Sequence, residues 1–208
     1  FELGQAEFWV GYVAWERGDL EQAAVYMQRY MQYSKQLSER APDNPDYRLE
    51  LSYAHNNLGT IAFAQNKLEI ALGHFSKAAN INQTLLEKDP DNVDLAANAV
   101  ENLSWLGTMY LELKQLDKSK QAYQQGLNLL LPFFKEDKVQ LIKEQYARLL
   151  LQKAEVVAQT ESISEANDIL KKSLGIFQQL LQTDASNATW RIVSLSVDYF
   201  EQSLLAPH

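Results

Sequence analysis

Leu58-Gly59-Thr60-Ile61-Ala62-Phe63-Ala64-Gln65-Asn66-Lys67-Leu68-Glu69-Ile70-Ala71 is the stretch from which the rest of the chain can be read. Its opening pair, an apolar residue followed by glycine, returns at Val10-Gly11 and Leu106-Gly107, so the glycines stand 48 residues apart and then 48 again. Ala154 continues the series at 47. The rest of the stretch keeps the same step. Ala23, Ala71, Ser119 and Ala166 lie 12 residues beyond the small residue that starts each frame, and Met27, Phe75, Tyr123 and Leu170 lie 16 beyond it. Tyr30, Ala78, Gly126 and Ser173 lie 19 beyond it. Self-similarity at a fixed long period marks a repeat architecture.

Helix packing explains the pattern. Small residues at fixed places let two antiparallel helices approach closely, and large ones such as Phe75 and Tyr123 are expected to fill the space between hairpins. Gly18-Asp19 and Asn66-Lys67 mark the tight turn inside a hairpin, where an open backbone conformation is needed. Between hairpins the linkers Pro42-Asp43-Asn44, Asp89-Pro90-Asp91-Asn92 and Asp184-Ala185-Ser186-Asn187 recur. The proline of the first two cannot continue the preceding helix, and the Asp and Asn side chains accept from the free N–H groups of the next. The expected linker near Lys138 has lost the motif and reads Phe133-Phe134-Lys135-Glu136-Asp137-Lys138. Gly and Pro number only 8 and 5 in 208 residues, too few for the turns of an all-β chain.

Leu58-Gly59, Ala62, Ala71, Phe75, Ala78 and Pro90 resemble the signature of the tetratricopeptide repeat, with the proline displaced to a later position. That repeat is about 34 residues long. The additional residues, shared between two helices, add about two turns to each at 3.6 residues per turn. The resemblance implies an all-α α-solenoid of antiparallel hairpins with a right-handed superhelix. It places repeats at 1–43, 44–91, 92–137 and 138–186 in a single domain, with a capping helix over 187–208. First helices are expected at 1–17, 44–65, 92–114 and 138–160, second helices at 19–40, 67–88, 116–131 and 162–182, and a ninth helix at 188–204. The chain opens on Phe1, part-way through a repeat unit, and reads as an excised fragment.

In this family the first helix of each hairpin lines a concave groove. Carrying those positions across the frame gives four rows. The first is Gln5, Phe8, Tyr12, Trp15 and Glu16, and the second is Tyr53, Asn56, Thr60, Phe63 and Ala64, beside Asn57. The third is Glu101, Ser104, Thr108, Leu111 and Glu112, and the fourth is Arg148, Leu151, Glu155, Ala158 and Gln159. Aromatic residues at one end thus meet an acidic stretch further along, which suits a protein or peptide of basic or apolar character. The competing reading of Phe8, Tyr12 and Trp15 is that the longer helices bring them into the core, or that a preceding repeat absent from this sequence covers them. The carboxylate clamp of chaperone-binding members falls on Phe8, Tyr12, Asn57, Glu101 and Trp105, where only Asn57 has the required residue type, so that specialised mode is not expected.

Other functional classes find little support. With no cysteine, thiolate chemistry and thiolate metal sites are excluded, and a reducing, cytoplasmic compartment is the expectation. No Gly-x-Ser-x-Gly elbow, phosphate-binding glycine loop or His-Glu-x-x-His pair is present, so neither an enzyme nor a cofactor is expected. His55 and His74 fall on the two helices of one hairpin and read as packing residues, with a metal pair as the alternative. The net charge of -8 disfavours nucleic acid and anionic membrane surfaces. No apolar run approaches the roughly 20 residues of a membrane helix.

Pro132 should end the second helix of the third repeat early and tuck Phe133 and Phe134 over the neighbouring hairpin. Alternatively Leu129–Phe134 forms an exposed edge that pairs with a second copy. Long repeats of this style resemble those appended to bacterial kinases, cyclases and winged-helix regulators. That resemblance implies an interaction scaffold within a larger signalling protein, with a small-molecule or signalling-peptide sensor as the second reading and an oligomerisation module as the third.

Overall fold

A computed structural model describes residues 1–135 and 140–205. Among them are nine α-helices, a 3-10 turn and no strand. The helices are α1 (Glu2–Glu16), α2 (Leu20–Arg40), α3 (Pro45–Ala64), α4 (Leu68–Lys88), α5 (Val93–Glu112), α6 (Leu116–Leu130), α7 (Gln140–Thr160), α8 (Ile163–Thr183) and α9 (Ala188–Leu205). Their bounds follow the expected ones to within a few residues. The expected start of α7 at Lys138, the Glu136–Lys138 part of the degenerate linker and the end of the capping segment from Ala206 to His208 lie outside the described residues.

The linker asparagines do what their spacing suggests. Asn44 Oδ1 accepts from Asp46 N at 2.9 Å and Tyr47 N at 3.3 Å, with Pro45 in the first helical turn. Asn92 Oδ1 accepts from Leu95 N at 3.0 Å, and Asn187 Oδ1 accepts from Trp190 N at 3.0 Å. Each satisfies a donor at the helix start that no intrahelical carbonyl can reach. Inside the hairpins the turn repeats as strictly. Gly18, Asn66 and Lys114, 48 residues apart, have φ of 75°, 57° and 58°. The residue after each donates back to the carbonyl five residues earlier: Asp19 to Ala14, Lys67 to Ala62 and Gln115 to Tyr110, at 2.8 to 3.0 Å. This is the Schellman closure of a helix C-terminus.

The chain falls into two compact units, Phe1–Asn102 and Leu103–His208, with the division inside α5. In the first unit α1 pairs with α2, α3 pairs with α4, and α2 packs on α3. Ala23, Met27 and Tyr30 of α2 form one buried cluster with Ala54, Leu58 and Ile61 of α3, and Phe8 and Trp15 of α1 lie against it. In the second unit α6 packs on α7, α7 on α8 and α8 on α9.

The large residue of each frame also has a partner within its own hairpin, not only between hairpins as expected. Phe75 of α4 lies against Gly59 of α3, and Tyr123 of α6 lies against Gly107 of α5. Around Pro132 the chain makes a 3-10 turn over Leu131–Lys135, in which Phe133 is buried and Phe134 meets Tyr146 edge-on at 4.8 Å. Leu131 is the exposed apolar side chain there. At the other end of the second unit α9 buries Trp190 and Val197, while Ile192, Leu195 and Tyr199 remain exposed on it.

Candidate ligand groove

Consecutive first helices are joined side chain to side chain within each unit. In the first, Gln5 Nε2 of α1 donates to Glu50 Oε2 of α3 at 2.9 Å, and Asn98 Nδ2 of α5 donates to Tyr53 OH of α3 at 3.2 Å. In the second, Ser104 Oγ of α5 donates to Gln152 Oε1 of α7 at 2.8 Å, and Trp190 Nε1 of α9 donates to Glu144 Oε2 of α7 at 2.7 Å. Each unit therefore has a wall built from first helices.

The wall of the first unit holds a pocket of about 300 Å³. Phe8, Tyr53 and Tyr30 supply its aromatic surface, Gln5, Asn56 and Asn57 its amides, and Glu50 and Glu101 its carboxylates. Tyr30 reaches the pocket from α2: its hydroxyl donates to Glu50 Oε2 at 2.6 Å, and its ring stands 5.5 Å from that of Phe8. Burial, followed by the hydrogen bond and charge of Glu50, pushes the Tyr30 phenol far above its ordinary range. The phenol therefore stays a donor, and it helps fix the carboxylate. Asn57 Nδ2 donates to Tyr53 O at 2.8 Å, and Thr60 Oγ1 donates to Asn56 O at 3.0 Å. Asn56 Oδ1 is different, being buried with no hydrogen-bond partner. A buried acceptor left unmet costs free energy, so such an atom in a pocket wall calls for an account.

The predicted residues divide as follows. Phe8, Tyr53, Asn56, Asn57 and Glu101 meet around this pocket. Tyr12, Trp15, Asn57 and Thr60 surround a second depression of about 80 Å³ with Met27 and Ile61. Phe8 and Trp15 are half-buried against the core cluster while also facing these pockets, so groove and core are not exclusive for them. Phe63 lines neither.

Of the predicted positions in the second unit, Thr108, Arg148 and Glu155 have defined surroundings. Thr108 is drawn into its hairpin, donating to Ser104 O at 3.1 Å or pairing with Tyr123 OH at 3.2 Å. Arg148 is held by Glu144, its Nε and Nη2 donating to Glu144 Oε1 at 2.9 and 2.7 Å. Glu155 has its carboxyl pushed up by partial loss of water and then by the nearby Glu112.

Sequence reasoning missed Glu50 and Tyr30. Glu50 lies one helical turn before Tyr53 on the same face, beyond the rows taken from a shorter repeat. Tyr30 occupies a frame position that is Ala, Gly or Ser elsewhere, and a phenol in a small-residue slot signals a polar partner. The two histidines meet across α3 and α4, His55 Nδ1 to His74 Nδ1 at 3.0 Å. Burial, then His74 and Lys77, brings the His55 imidazole down to about 4, and burial and Lys77 also lower His74. Among the described residues no group of three or more His, Cys, Asp or Glu stands close enough to hold a metal ion. None of the helices described is long and apolar enough to cross a membrane.

No protein-family model matches the chain, and no curated protein matches it. Solved structures do. The apo form of RapI is similar at 16% identity and a TM-score of 0.67, over 92% of this chain and 61% of RapI. BtubC (BKLC) from P. vanneervenii is similar at 16% identity and a TM-score of 0.58, over 90% of this chain and 75% of BtubC. The Rap conjugation gene regulator of the plasmid pLS20, in complex with the Phr* peptide, is similar at 14% identity and a TM-score of 0.57. That match covers 91% of this chain and 52% of the regulator. The chain thus spans less than two thirds of the length of RapI and of the pLS20 regulator. These likenesses concern the fold, an all-α solenoid of helical hairpins.

Proposed function

We propose that this chain is a tetratricopeptide-type interaction module that binds a peptide, or an extended segment of a partner protein, on the first-helix wall of its first unit. It acts as the recognition part of a larger regulatory protein. The observation that carries this reading is the pocket lined by Asn56, whose buried Oδ1 has no hydrogen-bond partner, together with the rings of Phe8 and Tyr53 and the carboxylates of Glu50 and Glu101. A peptide brings backbone N–H groups at regular spacing, and one of them directed at Asn56 would remove the cost of its unmet acceptor. Lysine or arginine on the ligand complements the carboxylates, and apolar side chains gain area against the rings. The similar fold of the pLS20 regulator, solved with a peptide bound, supports the reading by analogy of fold.

Fluorescence anisotropy with a panel of labelled peptides, basic, apolar and acidic, tests it. Basic and apolar peptides should bind, affinity should fall as salt is raised, and acidic peptides should not compete. Asn56→Ala combined with Glu101→Gln should weaken binding at least about tenfold, equivalent to 1.4 kcal/mol. Indifference of every peptide to that pair of substitutions would end the proposal. The sensor reading draws on the pocket volume of about 300 Å³, which reaches the lower end of the range for small-molecule sites. Thermal-shift screening with metabolites and short peptides separates the two. Pairing of two copies through Leu129–Phe134 relies on the exposed Leu131 and predicts a dimer by light scattering.

A further inference from the structure

The pocket of about 300 Å³ has a smaller neighbour of different chemistry, and Asn57 lines both. The walls of this depression of about 80 Å³ all come from α1, α2 and α3. Met27 and Ile61, 2% and 3% exposed, form its floor, with Trp15 half-buried beside them and Tyr12 exposed at its edge. Its lining holds no charged side chain among the described residues. Asn57 Nδ2 and Thr60 Oγ1 both donate to carbonyls of their own helix, Tyr53 O at 2.8 Å and Asn56 O at 3.0 Å. With those groups turned to the backbone, the depression offers a ligand mainly apolar surface. The larger pocket instead carries the Glu50 and Glu101 carboxylates and the unmet Asn56 Oδ1.

Spacing ties the two cavities together. On α3, α1 and α2 their residues are centred about five, seven and three positions apart, which averages roughly 8 Å at a rise of 1.5 Å per residue. An extended peptide advances about 3.3 Å per residue with alternate side chains on one side, so residues i and i+2 stand about 7 Å apart. The depression has the room of two to three waters at about 30 Å³ each, enough for a short branched side chain and too little for a ring.

We propose that the site selects a peptide with lysine or arginine in the larger pocket and a valine-sized apolar residue two positions away in the depression. This rests on the peptide-binding reading and adds to it the sequence that the wall selects.

The probes are labelled peptides with one lysine and, two positions to either side of it, valine, alanine or phenylalanine. In one chain direction the valine peptide should bind about tenfold more tightly than the alanine peptide by anisotropy, since two more carbon groups are buried. Phenylalanine should gain nothing over alanine. Tyr12→Ala opens the edge of the depression and should reverse the order of valine and phenylalanine, which a loosened fold would not do. Thr60→Leu fills the depression and should erase the valine preference, and circular dichroism of both variants checks their helix content. Peptides that weaken with Asn56→Ala combined with Glu101→Gln, yet ignore the residue two positions from lysine, overturn this proposal and leave the peptide reading standing. A valine preference unaltered in both Tyr12→Ala and Thr60→Leu also overturns it, because the valine then sits elsewhere. Binding by no peptide overturns both.

Discussion

A β-carbon built on Gly59 would lie 2.8 Å from Cε1 of Phe75, and the Phe75 ring is fully buried. Gly107 and Tyr123 repeat the relationship one period later, with the hypothetical carbon closer still to Cε1 of the ring. The glycine is thus the socket for the ring of its own hairpin. Gly59→Ala and Gly107→Ala should each destabilise the protein, because overpacking costs about 1–3 kcal/mol. Alanine's better helix propensity returns only about 1 kcal/mol. Gly73→Ala and Gly175→Ala, also within helices but with no atom within 4 Å, should stabilise by up to about 1 kcal/mol. Urea unfolding of the four variants checks the contrast.

Asn82 stands 23 residues beyond Gly59, where the other frames have Ser34, Leu130 and Phe177. All four are buried, yet neither amide atom of Asn82 has a hydrogen-bond partner. Replacing a buried, unmet polar group with an apolar one of similar volume removes a desolvation cost of about 1–3 kcal/mol. Asn82→Leu should therefore raise the thermal midpoint. An unaltered or lowered midpoint would mean that the amide is satisfied in solution.

The helices and their caps were legible because each constraint recurs. A glycine under a ring was written twice, and an alanine 12 positions on and an asparagine in the linker three times each, all in one frame. The pocket was only half legible. Phe8, Tyr53, Asn56, Asn57 and Glu101 came from groove positions of a shorter repeat, and Glu50 lay one turn outside them. Thr108 has an attachment whose origin is visible at position 123: Phe75 has no polar atom, but Tyr123 in the same slot has a hydroxyl, and Thr108 meets it at 3.2 Å.

Lys114 was overlooked because lysine does not advertise a left-handed backbone, although it stands 48 residues from Asn66 and 96 from Gly18. A side chain in that region costs about 1–2 kcal/mol relative to glycine. Part of the gain from glycine is lost to the entropy of the unfolded chain. Lys114→Gly should stabilise by about 0.5–1 kcal/mol, and Gly18→Ala should destabilise by a similar amount. Chemical denaturation of the two variants measures both.

The His55–His74 contact sets a pH dependence. Two Nδ1 atoms 3.0 Å apart can hydrogen-bond when one carries a proton and the other does not, so a second proton breaks the contact and leaves two cations together. Burial comes first among the causes lowering both groups, and His55 falls to about 4 from an ordinary value of 6.5. A group whose pKa is depressed by folding binds protons more readily in the unfolded chain. Its contribution is therefore complete above pH 6.5 and is lost as the pH falls towards 4. The thermal midpoint of the wild type should drop across that window. In His55→Gln with His74→Gln the slope between pH 6.5 and 4 should flatten, whatever the absolute stability of the variant. Glu155, whose carboxyl is pushed up, works in the opposite sense and moderates the drop in both proteins alike. Differential scanning calorimetry in steps of pH compares the slopes, and an equal slope in both proteins would assign the acid sensitivity to other groups.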